Sequence, residues 1–440
     1  MKSYVLSGDH LRFLLNRFRN RLWVKPLAVC LLSIGAAFVA KLADGTSLTQ
    51  IVPEIAQDSI EALLSIMTAS MLVIATFSVA SMVSAYASAG TTATPRSFSV
   101  VIADDTSQNA LSTFVGAFIF SVVALTAVKN DYYMMAGLFI LFVLTMIIFG
   151  VVIMTFVHWV DCIARLGRLG STIEKVEKVT AKALKRRQDA PSLRGVSVGT
   201  QARGRALFAA SVGYVQQIDV AALQSWAEEV QVRVVVAALP GTFVGPDRAL
   251  AYVSTRPSDQ TDIDYKRAVE SFKIGGERRF DDDPRFGLVV LSEIAGRALS
   301  PGINDPGTAI AIVGTLLRLF TMWSEPATVE DEHTPKYDRV EVPEVSVRDM
   351  FDDAFTAIGR DGAGVVEVSV RLQKTLHSLA SIGDSEMRDA AEHHSRLALK
   401  RAGIAMNIAE DLAAVQIAAM FAEPSRFSET QRAASLDRHN

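Results

Sequence analysis

Cysteine is almost missing from this chain: there are two in 440 residues. That excludes a secreted domain stapled by disulfides. Charge is scarce too, at 21% of residues, against about 25% in an ordinary soluble protein. The formal net charge is only −3, and 50% of residues are hydrophobic, so intrinsic disorder is excluded. The basic domain that nucleic-acid binding requires is absent. Catalytic signatures are missing as well: no Walker loop, HExxH, GxSxG or Cys/His zinc spacing occurs. Without a nucleophile–base pairing or a metal spacing, no enzymatic activity, cofactor or metal is expected. No internal repeat is evident.

What is present is long apolar runs. The mean hydropathy is +0.27, and four stretches stand out, at 26–40, 60–87, 111–128 and 134–163. The first is short for a span, while the second and fourth run to roughly 42–45 Å as helices. That exceeds a hydrocarbon core of about 30 Å, so both tilt or project beyond the bilayer.

Charge placement orients them. Residues 1–25 carry six Lys/Arg against Asp9, and residues 165–187 carry eight against Glu174 and Glu177. Between these blocks lie Lys41, Arg96 and Lys129 against eight acids. Four spans put both basic blocks on the cytoplasmic side, with both termini inside and the two cysteines near a reducing compartment. A cleaved first segment is the alternative, and it leaves the tail on the same side. The expected fold class is therefore an α-helical multi-pass membrane protein with four transmembrane helices and a cytoplasmic α+β domain.

The expected organisation is a basic N-terminus (1–25), a four-helix transmembrane domain (26–164), a stalk helix and linker (165–190), a small α/β unit (191–256), a mostly helical domain (257–425) and a flexible tail (426–440). The stalk carries apolar positions at helical spacing and lysines suited to the anionic inner leaflet. Within the α/β unit, Val220–Glu229 reads as a helix capped by Asp219 and Gln231–Leu239 as a strand. The run Pro240–Val253 reads as strand–turn–strand and resembles the hairpin of biotinyl/lipoyl hammerhead domains. No lysine lies between Lys185 and Lys266, so no cofactor can be attached there. Helices are expected at 284–299, 305–323, 346–380 and 384–422, with an acidic loop at 325–345.

Two motif regions carry the candidate sites. The first joins the second and third spans: Thr94, Pro95, Arg96, Ser97 and Phe98, then Asp104, Asp105, Gln108 and Asn109. The helix before it bears hydroxyls at Ser78, Ser81, Ser84 and Ser88. Either these let membrane helices pack closely or they line a wet, gated path. Asp58 and Glu61 sit at the outer mouth. The second region is Gly275–Pro284, with Asp281, Asp282 and Asp283, followed by Arg297, Ser300, Pro301, Asn304, Asp305, Pro306 and Thr308. Asn304/Asp305 then Pro306 is a helix start, read either as a capped corner or as an anion seat. The three aspartates read as a solvated cap rather than a metal site. His158 and Asp161 read as interfacial, and His393 and His394 as surface residues.

The inter-span stretch, the Pro240–Val253 hairpin and the run Arg297–Ala309 (RALSPGINDPGTA) together resemble the bacterial family of predicted membrane proteins known as domain of unknown function 2254. The resemblance covers roughly residues 10–425 and implies architecture and membrane location. Two functions are expected. One is an oligomeric inner-membrane channel or channel-like transport protein, cation-favouring because of its acidic outer loops. The other is a membrane-anchored sensor or scaffold that binds a small anionic ligand or partner at Arg297–Ala309.

Overall fold

The computed structural model describes residues 24–45, 52–102, 105–165, 168–199, 204–254, 263–326 and 335–420. The N-terminal basic block up to residue 23, Asp104 and the tail from residue 421 lie outside the described residues. The chain forms two compact units, divided between Thr172 and Ile173.

In the first unit the apolar runs become α1 (Val24–Leu42), α2 (Gln57–Thr92), α4 (Asp105–Lys129) and α5 (Met135–Arg165), with a short α3 (Phe98–Ile102). Among the described residues five helices are long and apolar enough to cross a membrane by length and composition: these four and Pro306–Ser324. α4 has the largest buried share of the four; it packs on α1, α2 and α5. At Gly116 a Cβ would meet Val29 Cγ1 at 2.4 Å, so only glycine admits the approach of α1. Large apolar side chains point outward, including Phe77, Ile147 and Met154. A sequence lacking charge in these runs can adopt that arrangement only with a lipid or protein neighbour. The α1 end is joined to α5 by Asp44, which accepts from Met134 N (2.9 Å) and Gly137 N (2.6 Å), and by Tyr133 Oη donating to Ala37 O (2.8 Å).

The boundary between the units falls inside α6 (Leu169–Asp189), which belongs to the second unit from Ile173 onward. Expected as a stalk, its chain is packed along one face: Thr172, Val176, Thr180, Ala183, Leu184 and Arg187 are buried. The helical spacing of those residues marks a core-facing stripe. Two sheets follow. Strands β1 (Gly195–Ser197), β2 (Arg205–Phe208), β4 (Arg233–Val236), β6 (Ala249–Ser254) and β8 (Tyr337–Val342) make a five-stranded sheet in the order β1-β8-β4-β6-β2. Strands β5 (Phe243–Val244), β3 (Gly213–Ile218) and β7 (Phe272–Gly275) make a second sheet in that order. The helix α7 (Val220–Glu229) starts where expected, with Asp219 accepting from Ala222 N at 3.0 Å. It is pinned by Gln224, which donates to Asp338 (2.6 Å) and accepts from Arg339 N (3.0 Å).

Three expectations change here. The acidic loop 325–345 contains β8, which pairs parallel with both β1 and β4; Tyr337, Val340 and Val342 are buried, a period-2 signal hidden by the flanking acids. The Pro240–Val253 run is not a hairpin, because β5 pairs with β3 while β6 pairs with β2 and β4. The helix expected over 346–380 is two, α11 (Val347–Asp361) and α12 (Val366–Ile382). Gly362 and Gly364 separate them, each disfavoured inside a helix by about 1 kcal/mol.

The remaining described helices are α8 (Lys266–Glu270), α9 (Phe286–Ala298), α10 (Pro306–Ser324), α13 (Ser385–Ala405) and α14 (Ala409–Ala419). A tight crossing joins α6 to α9, where a Cβ on Gly287 would fall within 1.8 Å of Thr180 Oγ1.

Candidate functional site

The inter-span motif builds a corner. Thr94 is extended (φ −131°, ψ 154°), Pro95 opens a 3₁₀ turn, and Ser97 Oγ donates to Thr94 O at 2.7 Å. Gln108, 3% exposed, reaches back from α4 and donates to Ile102 O at 3.0 Å. Ser107 Oγ lies 3.9 Å from Cys162 Sγ of α5. Arg96 is exposed, and of Asp105 only the backbone position, at the start of α4, is described.

Below the corner an aromatic layer runs from Phe114 and Trp159, buried in the bundle interior, out to Phe77 and Phe156 on its surface. Trp159 lies 6.1 Å from Phe77 and 6.1 Å from Phe114, both edge-on, and Phe156 packs beside them. The two sides of this layer differ. Away from the corner, Ile60, Leu64, Phe120, Ala124 and Leu141 are fully buried. The hydroxyls there bond their own helices, Ser121 to Ala117 O and Thr145 to Leu141 O, both at 2.7 Å. From the layer to the corner, Ser78 Oγ, Thr94 Oγ1, Gln108 Oε1 and Trp159 Nε1 are buried and find no hydrogen-bond partner among the described residues.

The hydroxyl face of α2 divides. Ser78 is wholly buried, Ser81 half-buried, and Ser84 and Ser88 exposed, so one continuous hydroxyl surface does not form. At the opposite end, Asp58 is exposed, while Gln57 Nε2 donates to Glu61 (3.2 Å), Asp131 (3.3 Å) and Val128 O (3.1 Å). Asp44, expected among the acids of the outer loops, instead accepts from the Met134 and Gly137 amides; Gln57 and Tyr133 are structurally central too and were not singled out by any pattern in the chain. Their signal was an acid or amide immediately beside an apolar run.

The second motif is a capped corner. Ser300 Oγ donates to Arg297 O (2.6 Å), Asn304 N to Ser300 O (2.9 Å) and Asp305 N to Ala298 O (2.8 Å). Asn304 takes a left-handed φ of 50°, which asparagine tolerates. Asp305 then caps α10, accepting from Thr308 N at 3.0 Å, with Thr308 Oγ1 also donating to it. The Thr308 hydroxyl first, and then its amide, hold the Asp305 carboxyl below the usual range. Pro306 stands at the first helical position. The carboxylate thus occupies the place where an external anion would meet the first amides. Arg297 and Pro301 are exposed.

The aspartate run is a set of ion pairs. Asp283, 2% exposed, takes two bonds from Arg278 (2.7 and 3.1 Å) and one each from the Arg285 and Phe286 amides. Asp282 pairs with Arg186, and Arg285 reaches Asp353 (2.6 Å) and Asp349 (2.5 Å). Among the described residues no group of three or more His, Cys, Asp or Glu could hold a metal. Asp161 pairs with Arg165 at 3.0 Å on the surface. His394, expected at the surface, is 3% exposed and bonds Asp352 at 3.0 Å, because it falls on the stripe of α13 that also buries Met387, Ala391 and Ala398.

Residues 19–378 match the family described as predicted membrane protein, DUF2254. Uncharacterized proteins of Mycobacterium tuberculosis and Mycobacterium bovis are each 31% identical over 128 residues, 28% of this chain and 25% of theirs. The chain thus matches only a quarter of the length of these curated relatives. No solved structure matches. The long apolar helices, the inter-span corner and the match across most of the sequence converge: the chain belongs to the DUF2254 family of predicted membrane proteins.

Proposed function

We propose that this membrane protein is a channel or channel-like transport protein of the bacterial inner membrane that works as a homo-oligomer. The observation that carries the reading is the confinement of partnerless buried polar atoms to one half of the bundle interior. A buried donor or acceptor left dry costs about 1–3 kcal/mol, and in lipid no outside water can relieve it. Water in a transport route from the corner would satisfy Thr94, Gln108 and Ser78. The buried Phe114/Trp159 pair, backed by Phe77 on the bundle surface, would then act as the constriction that opens and closes by dewetting.

Four spans suit the charge pattern, with α1, α2, α4 and α5 in the bilayer and both termini cytoplasmic. The fifth long apolar helix, α10, reads as a core helix of the cytoplasmic unit. It buries Ile312, Leu316 and Phe320, carries Arg318 paired with Glu177 at 2.7 Å, and stacks Phe320 on Phe355. Assembly would use the exposed face of α2, where the small residues Ala62, Ala69, Thr76 and Ala80 alternate with Ile66, Val73 and Val83, 60–66% exposed; small residues allow a second helix to approach closely. The carboxylates near Gln57 would favour cations at the outer mouth. The sensor reading at Arg297–Ala309 has less support, because Asp305 already fills that helix start.

The test is ion and solute flux into liposomes containing the purified chain. Phe77→Ala, which thins the aromatic layer from its exposed side, is expected to raise flux, and Gln108→Leu to lower it. If neither the unaltered chain nor Phe77→Ala exceeds protein-free liposomes for any cation, anion or small neutral solute, the transport reading is wrong.

A further inference from the structure

We infer that α6 is an electrostatic clamp for anionic phospholipid headgroups on the leaflet from which the last span emerges. Lys175, Lys178, Lys182 and Lys185 recur at i, i+3, i+7 and i+10, which places them on one helix face. Lys178 and Lys182 are exposed, and Arg168, also exposed, extends the same face toward the N-terminus. The opposite face is committed to the core of its own unit through Val176, Thr180, Leu184 and Arg187, so the helix cannot roll to hide its lysines.

The nearby charges are already allotted in a way that leaves this face basic. Glu177 is held by Arg318 through two bonds of 2.7 Å, and Arg186 is turned to Asp282. Lys185 shares Asp189 at the far end at 3.5 Å, and Glu174 lies at the edge of the stripe. Three residues lie between Arg165, the end of α5, and Leu169, the start of α6. Such a tether reaches about 14 Å at most, close to the Debye length of about 10 Å at 0.1 M salt. The first turns of α6 therefore remain within electrostatic reach of the headgroups, where clustered lysines beside a span recognise anionic lipid. The partner is a lipid surface rather than a nucleic acid because the covalent link to a span keeps that surface at high effective concentration. This inference rests on the membrane reading of α1, α2, α4 and α5.

Amine-acylation footprinting of the full chain tests it, in nanodiscs of phosphatidylcholine alone and of equal parts phosphatidylcholine and phosphatidylglycerol. Lys178 and Lys182 are expected to label at least about threefold more slowly with phosphatidylglycerol. Lys266, 77% exposed on α8, serves as the internal control and should not change. The difference should vanish near about 1 M salt, where the Debye length is about 3 Å. In Lys178→Gln/Lys182→Gln the lipid-dependent protection of Lys175 should weaken. Equal rates at Lys178 and Lys182 in both lipids, or equal slowing at Lys266, overturn the inference. Failure of the chain to enter nanodiscs at all would instead remove the membrane reading beneath it.

Discussion

Buried polarity is handled differently in the two units. In the Ile173–Asn440 unit a buried charge meets an opposite charge, Arg278 with Asp283, and the half-buried Arg285 reaches Asp353. Among the described residues of the Gly8–Thr172 unit the buried polar groups are mostly uncharged: Ser121 and Thr145 bond their own helix four residues back, Ser78 and Thr94 have no described partner, and Asp44, the charged case, accepts from the Met134 and Gly137 amides. Charge is affordable where water supplies the unfolded reference and a partner stands opposite; neutral hydroxyls and amides are what a lipid-facing bundle tolerates. The second unit has exceptions: Ser292 Oγ is buried with no described partner, and Arg187, 4% exposed, donates one nitrogen to Pro343 O at 2.9 Å while its Nε has no described partner. Burial lowers its pKa to about 10, still high enough to keep the charge at neutral pH.

The comparison breaks most visibly at Arg278. Arg278→Ala leaves Asp283 buried and unpaired, and thermal or denaturant unfolding should show a loss of about 3–5 kcal/mol. If the loss is under about 1 kcal/mol, pairing does not hold that region. Next comes Gly287→Ala, which drives a Cβ into Thr180 at the α6–α9 crossing; an expected cost of about 1–3 kcal/mol follows from overpacking, and Gly287→Ala with Thr180→Ala, which removes the Oγ1 that the new Cβ meets first, should recover part of it. Asp305→Ala removes the α10 cap for about 1 kcal/mol.

Opposite in sign is Ser78→Ala. Removing a hydroxyl that has no described partner should leave the melting temperature unchanged or raise it, by up to about 1 kcal/mol of stability. A clear loss would show that Ser78 has a partner after all. The smallest effect concerns pH. Burial lowers the His394 pKa, against the opposing pull of Asp352. A group whose folded pKa lies below its unfolded value contributes stability above the unfolded value, about 6.5, and that contribution is lost as pH falls toward the folded pKa. Stability should therefore decline on acidification below about pH 6.5, more steeply in Asp352→Asn and less in His394→Gln. An unchanged slope in both variants would place the pH dependence elsewhere.

Much of this architecture could be read directly from residue order. Four apolar runs became α1, α2, α4 and α5 within a few residues, since a helix long enough to cross lipid needs no distant partner to be recognised. Asp219 and Asp305 were legible as caps because capping is local. The β8 strand was not, because Tyr337–Val342 is recognised as a strand only once β1 and β4 lie on either side of it. The split of β5 and β6 between two sheets was equally hidden: adjacency along the chain suggests a hairpin, and only the competing strands β3, β2 and β4 decide otherwise. At the candidate site, the motif residues Thr94 and Gln108 were visible in advance, whereas the aromatic layer and the burial of His394 were not.

Residue order alone thus determined which segments are apolar enough for lipid, which side the charges favour and where helices begin. These follow from transfer free energy and local hydrogen bonding, which act within about twenty consecutive residues. Only the tertiary structure decided that the unpartnered polar atoms gather on one side of the Phe77–Phe114–Trp159 layer and that Asp283 meets Arg278 in the interior. Burial and pairing are properties of residues brought together from separate helices and strands, and no single stretch of chain contains them.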